Sequence, residues 1–155
     1  LNLLLDSPEG RYPQDKEVAM AVADYLTEIG INVEVRVNEW GTHLDRIIER
    51  ETGDMFLLGW GPAFEAQGTI ESLMTTDRTY SGFGLPYMDE MVEEAVKVVP
   101  LEEQKRVWGE LEAIAHEEAA WIFLWQQFDA YGVNTRVEWM PRADEVSSVL
   151  DMSPK

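Results

Sequence analysis

Within its first 61 residues the chain changes its apolar period four times, and this alternation restricts the fold more than any other feature. Leu1–Leu5 is an apolar run that reads as a buried strand, followed by turn chemistry in Asp6-Ser7-Pro8-Glu9-Gly10. After Pro13, Val18, Val22, Leu26 and Ile29 recur at helical spacing and form one apolar stripe. Gly30 supplies the stop, because glycine takes the left-handed cap without penalty. Ile31 to Asn38 then alternates strictly, with β-branched residues on one face and polar residues on the other, as a half-buried strand requires. Thr42 with Asp45 marks a second helix start, Leu44, Ile47 and Ile48 form its stripe, and Gly53 ends it. Met55-Phe56-Leu57-Leu58 is the continuous apolar run of a central strand covered on both faces. Strand–helix–strand–helix–strand with short links predicts an α/β fold with a mostly parallel sheet flanked by helices. Ligands of open α/β sheets lie at the carboxyl ends of the strands, so Gly59-Trp60-Gly61-Pro62 is the first place to look for a site.

The second half mixes signals. A short helix is expected around Thr69–Met74, a second on Met88, Met91, Val92 and Ala95, and a longer one after Pro100 on Leu101, Val107, Trp108, Leu111, Ile114 and Ala115. Trp121–Trp125 reads as a buried strand and Phe128–Val133 as another.

The composition narrows the function. The 155 residues carry 12 Lys and Arg against 30 Asp and Glu, a net charge of −18. Nucleic acid and anionic membrane surfaces both demand clustered basic residues, so neither is an expected partner. There is no cysteine, which removes disulfides, thiolate catalysis and cysteine zinc sites. His43 and His116 lack a ligand-spaced partner and read as surface or satisfied side chains. Glu93-Glu94, Glu102-Glu103 and Glu117-Glu118 read as solvated helix faces, so no catalytic carboxyl pair stands out. Nucleophile-elbow, Walker and dinucleotide-binding motifs are all absent, and no metal or cofactor is expected. What remains is aromatic density: Trp40 follows the second strand and Trp60 the third. In a parallel sheet both fall at one end. With Phe64 and Glu65 they would form an aromatic wall with a carboxylate, suited to stacking a sugar or peptide side chain and holding an ammonium. Leu1 is not a natural start, so the chain is expected to be processed or excised from something longer, with any signal segment missing.

Asp54-Met55-Phe56-Leu57-Leu58-Gly59-Trp60-Gly61 resembles the strand and loop "D-hydrophobic-x-x-x-G-W" of the family 5 extracellular solute-binding proteins, the oligopeptide-, dipeptide- and nickel-type receptors of ABC importers. Further segments agree in order. Leu26 to Val33 is similar to "L-x-x-I-G-I-x-V", and Glu39-Trp40 to the "x-W" before the next helix. Tyr80-Ser81-Gly82-Phe83 with Met88-Asp89-Glu90-Met91 resembles "Y-S-G-[YF] … x-D-x-L". Ala120 to Leu124 is similar to "A-P-x-I-x-L", with Ala120 where proline is usual, and Val133 to Glu145 resembles the closing "V-x-x-x-V-x-W … P-R-x-D-E".

The resemblance implies a binding protein rather than an enzyme: the C-terminal lobe of a type II periplasmic-binding-protein-like receptor that closes on a solute and hands it to a membrane permease. It implies an extracytoplasmic location, periplasmic or lipid-anchored. It divides the chain into a ligand-binding lobe at 1–135 and a tail at 136–155 that returns to an N-terminal lobe. Ligand-facing positions carry over to Trp40, Gly59, Trp60 and Gly61, with Phe64 and Glu65 in the adjoining loop. Where peptide binders place an Asp for the α-ammonium this chain has Ala63, with Glu65 the nearest acid, and Leu57 occupies a position that is basic in some relatives. An oligopeptide or dipeptide is the expected solute, and an oligosaccharide the alternative. A small α/β hydrolase with a carboxylate pair is the competing class and would need two acids of raised pKa facing one cleft. A protein-interaction domain would show an exposed apolar patch.

Overall fold

A computed structural model describes residues 1–61 and 66–155. Three strands, β1 (Asn2–Pro8), β2 (Asn32–Asn38) and β3 (Met55–Phe56), form a parallel sheet in the order β2-β1-β3. Asn2 lies opposite Asn32 and Pro8 opposite Asn38, while Leu5 and Asp6 face Met55 and Phe56. Helices α1 (Asp15–Glu28) and α2 (Trp40–Ile48) connect the strands. The α/β class with a parallel sheet flanked by helices is therefore the observed one.

Helix α1 packs on β1 and β2 through Ala19 and Ala23, whose small side chains let the helix backbone approach the sheet. Val18, Val22 and Leu26 of the expected stripe are half-buried beside them, and Ile29 is exposed past the helix end. Gly30 takes φ +86° and turns the chain into β2.

Four expectations are corrected here. First, Asp6, Ser7 and Pro8 do not turn. They complete β1, the central strand, and Asp6 and Ser7 are fully buried. Burying a carboxylate requires partners. Asp6 accepts two hydrogen bonds from Arg36 (2.6 and 2.7 Å), one from Asn38 Nδ2 (2.9 Å) and one from the Gly53 N–H (2.6 Å). Burial opposes ionisation of Asp6, but these donors prevail and hold its pKa below the usual carboxylate value. Second, β3 is a short, half-buried edge strand among the described residues, not a central one, because β1 is its only pairing partner there. Third, α2 begins at Trp40 rather than after Thr42. The Glu39 side chain caps it, accepting from the N–H groups of Gly41 (2.8 Å) and Thr42 (3.3 Å). The helix also stops at Ile48, well before Gly53, and Arg50 takes the left-handed conformation.

The fourth concerns the second half. Helices α3 (Ala66–Met74), α4 (Pro86–Ala95) and α5 (Leu101–Glu117) form where the stripes predict them. Ile70, Leu73 and Met74 close a core with Met88, Val92 and Ala95 and with Trp108, Leu111 and Ala115. The two apolar strands expected at 121–125 and 128–133 are absent: Ile122, Phe123, Trp125 and Phe128 are exposed, Phe128 at 90%. Strand propensity needs a neighbouring strand for its backbone hydrogen bonds, and none lies alongside among the described residues. Trp121 is anchored, edge-on to Phe56 with ring centroids 5.4 Å apart and donating to the Leu73 carbonyl (3.0 Å), which ties sheet to helices. Near the end, β4 (Val137–Glu138) and β5 (Ser153–Pro154) pair as a small antiparallel ladder.

Candidate functional site

Parallel pairing of β1 with β2 and β3 puts the chain ends after Pro8, Asn38 and Phe56 on one edge of the sheet. The backbone runs on from β3 through Leu57, whose N–H donates to the Asp6 carbonyl (2.8 Å), into Gly59 and Trp60. Trp40, as first residue of α2, stands at the same edge.

The loop between β1 and α1 completes this edge. Asp15, nearly fully buried at the start of α1, accepts from the N–H groups of Gly10 (3.1 Å), Arg11 (2.9 Å) and Tyr12 (3.0 Å), and from that of Lys16 (2.9 Å). Burial works against its ionised form, but four backbone donors outweigh it and lower its pKa. So fixed, the loop sets the Tyr12 ring edge-on to Trp40 (centroids 5.9 Å apart), and its hydroxyl donates to the Gly59 carbonyl (3.2 Å). Glycine is required at 59: a Cβ there would lie 2.7 Å from the Tyr12 ring. The Arg11 guanidinium lies 5.0 Å from the Trp40 ring centroid and 5.4 Å from that of Tyr12.

His43 supports this edge from below. It is fully buried, one turn after Trp40, with ring centroids 6.0 Å apart. Its Nε2 lies 2.9 Å from the Leu57 carbonyl, and a carbonyl only accepts, so Nε2 carries the proton. Among the described residues Nδ1 then has no partner and is a bare, buried acceptor. Burial lowers the His43 pKa and keeps the imidazole neutral.

Of the residues singled out from sequence, Trp40, Gly59, Trp60 and Gly61 share the sheet edge. Trp60 is 40% exposed and edge-on to Tyr80 (5.3 Å), so the two tryptophans are joined through Tyr12 and Gly59 rather than stacked together. Phe64 and Glu65 lie outside the described residues. Sequence reading missed Arg11, Tyr12 and the role of His43. Its available signal was an Asp at a helix start, three residues after a Tyr that follows Gly and Arg. His116, by contrast, is an exposed side chain stacked on Phe123. The buried carboxylates near the edge, Asp6 and Asp15, have lowered pKa values, opposite to what a general acid needs. No cluster of three or more His, Asp or Glu able to hold a metal occurs among the described residues. An open concavity of about 280 Å³ lies between residues 131 and 152, lined by Tyr131, Val137, Trp139 and Met152 among others, and includes none of the sheet-edge residues.

No protein-family model and no curated protein matches the sequence. Solved structures share the fold. The murein tripeptide binding protein MppA of Escherichia coli matches 77% of this chain over 24% of its own length, at 22% identity and a TM-score of 0.66. A dipeptide binding protein from Pseudoalteromonas sp. SM9913, in complex with Met-Leu, matches 77% of this chain over 25% of its own, at 19% identity and 0.67. HbpA2 from Haemophilus parasuis matches 99% of this chain, tail included, over 32% of its own, at 12% identity and 0.73. The chain thus spans a quarter to a third of the length of these structures. It has the fold found in part of such solute-binding proteins.

Proposed function

We propose that this chain is the C-terminal, solute-capturing lobe of an ABC importer's binding protein, and that its solute is a peptide. The observation that carries this reading is the gathering of Trp40, Tyr12, Gly59 and Trp60 on the carboxyl edge of a parallel sheet. That edge is where open α/β sheets take ligands. Aromatic faces with exposed backbone beside them suit an extended peptide, which offers side chains to stack and amides to pair. Fold likeness to a tripeptide and a dipeptide binding protein favours the same class.

In this reading the protein binds without turnover, works outside the cytoplasm and delivers to a permease. Among the described residues no helix is long and apolar enough to cross a membrane. The site comprises Trp40, Gly59, Trp60 and Gly61, with Phe64 and Glu65 next in the sequence. Residues 136–155 return to the other lobe, and the exposed apolar side chains at 122–128 supply surface that such a lobe would cover. An oligosaccharide is the second reading, favoured by the exposed face of Trp60.

The test is a ligand-dependent melting shift in the two-lobed protein to which this chain is assigned, across peptide and neutral oligosaccharide panels. Peptides are expected to raise the melting temperature. Shifts with oligosaccharides alone would move the solute to the second reading, and no shift with either class would refute the proposal.

A further inference from the structure

His43 joins the two halves of the aromatic edge. It lies on the buried face of α2 with Ile47, one turn after Trp40, whose ring is tilted 34° to its own at 6.0 Å. On its other side the Nε2–H donates to the Leu57 carbonyl (2.9 Å), three residues before Trp60. The Leu57 N–H is tied in turn to the Asp6 carbonyl (2.8 Å), so the exit from β3 is fixed from β1 and from α2 together. A change at this one ring reaches both tryptophans.

The ring has room for one proton only. His43 is fully buried, and its Nδ1 is closed to solvent and unpartnered among the described residues. A second proton would put a donor and a positive charge at an atom that faces no acceptor. The charged groups on the surrounding elements do not supply one. Asp6 of β1 is taken up by Arg36, Asn38 and Gly53, and Asp15 at the start of α1 by the N–H groups of its loop. Both carboxylates favour an imidazolium through their fields, but burial outweighs them. On α2 itself Glu39 caps the first turn and Arg46 donates to the Glu51 carbonyl (3.5 Å). An imidazolium therefore reaches an acceptor only by turning out of its place, which frees the Leu57 carbonyl and removes the support beneath Trp40.

We propose that His43 is a positioning residue that holds Trp40 and the Leu57–Trp60 segment at the sheet edge only while its imidazole is neutral, so that solute is held near neutral pH and released in acid. This inference rests on the solute-binding reading above and adds to it a control by protons. Solute lying on the edge keeps Trp40 and Leu57 where they are, and so binds the neutral form and excludes the proton.

The experiment measures binding to the two-lobed protein by calorimetry between pH 6.5 and 4.5, with a panel of tripeptides of Ala, Leu and Phe. These have no titrating side chain, and their termini stay charged across that range. Wild-type affinity should fall about threefold or more, and by at most tenfold per pH unit because one proton is linked. His43→Gln keeps a donor for Leu57 but cannot titrate, and its affinity should stay level. In the wild type, the His43 Cε1–H resonance should titrate at lower pH with peptide bound than without. Equal pH slopes in wild type and variant, or the same His43 titration with and without peptide, would overturn the role of His43 and leave the peptide reading intact. Should His43→Gln fail to fold, the resonance decides alone. Failure of the whole panel to bind at any pH would overturn both.

Discussion

Asp6→Asn tests the polar centre that allows β1 to run through the middle of the sheet. The substitution preserves shape and removes the charge. It also replaces one acceptor oxygen by an amide that can only donate, facing either Arg36 or the Gly53 N–H. Asp6 is fully buried and accepts four hydrogen bonds, two of them from Arg36. Removing one member of a buried pair destabilises by about 3–5 kcal/mol. Because the Arg36 side chain is 32% exposed, it can regain water, which places the expected loss near the bottom of that range, at about 3 kcal/mol. For a domain of this size that corresponds to a fall of roughly 6–12 °C in melting temperature. Urea unfolding of the purified chain, followed by circular dichroism, measures it. The double variant Asp6→Leu with Arg36→Met should recover most of the loss, since no buried group is then left unpaired. A loss for Asp6→Asn below about 1 kcal/mol would refute this account of β1, because four hydrogen bonds to a buried anion cannot be worth so little.

Gly59→Ala should destabilise the chain by about 1–2 kcal/mol and weaken ligand binding, since its Cβ would displace Tyr12 and break the hydroxyl bond to the Gly59 carbonyl. Unchanged urea midpoint and affinity would contradict the close packing of that edge. His43 has a folded pKa below its unfolded value of about 6.5, so its contribution is complete above that pH and is lost as pH falls from there toward the folded pKa. Wild type should therefore lose melting temperature between pH 6.5 and 5 faster than His43→Gln, and equal slopes would remove His43 as the cause. Asp6 and Asp15 have folded pKa values below their unfolded ones, so their stabilisation is full above about pH 4 and disappears on further acidification. Trp121→Ala should cost about 3 kcal/mol through its contacts with Phe56 and Leu73, whereas Trp125→Ala, 58% exposed, should change the stability of the isolated chain by less than about 0.5 kcal/mol. Equal effects would mean that the packed unit continues past Trp121.

Local periodicity located α1, β2, α4 and α5, because each buries one face and its pattern survives in a short window. It failed where a distant residue decides the outcome. Asp6-Ser7-Pro8 has turn chemistry on its own, and becomes central strand only because Arg36 and Gly53, 30 and 47 positions away, satisfy the carboxylate. Ile122 to Trp125 has the composition of a strand, but composition supplies no neighbour to pair with. At the candidate site Trp40 and Trp60 were legible from their places after strands. Arg11 and Tyr12 were not, since single residues in a turn carry no period and their position depends on Asp15 folding back on the loop.

The central claim is that solute meets the sheet's carboxyl edge, and the six tryptophans give a direct readout of it. Indole N–H resonances of the two-lobed protein, assigned by substitution, can be followed while adding the peptide with the largest melting shift. The account predicts that Trp40 and Trp60 move in proportion to saturation while Trp108, in the helical core, stays fixed. Movement confined to Trp125 and Trp139, with Trp40 and Trp60 unchanged, would place the ligand on the C-terminal segment beyond α5 and contradict the account.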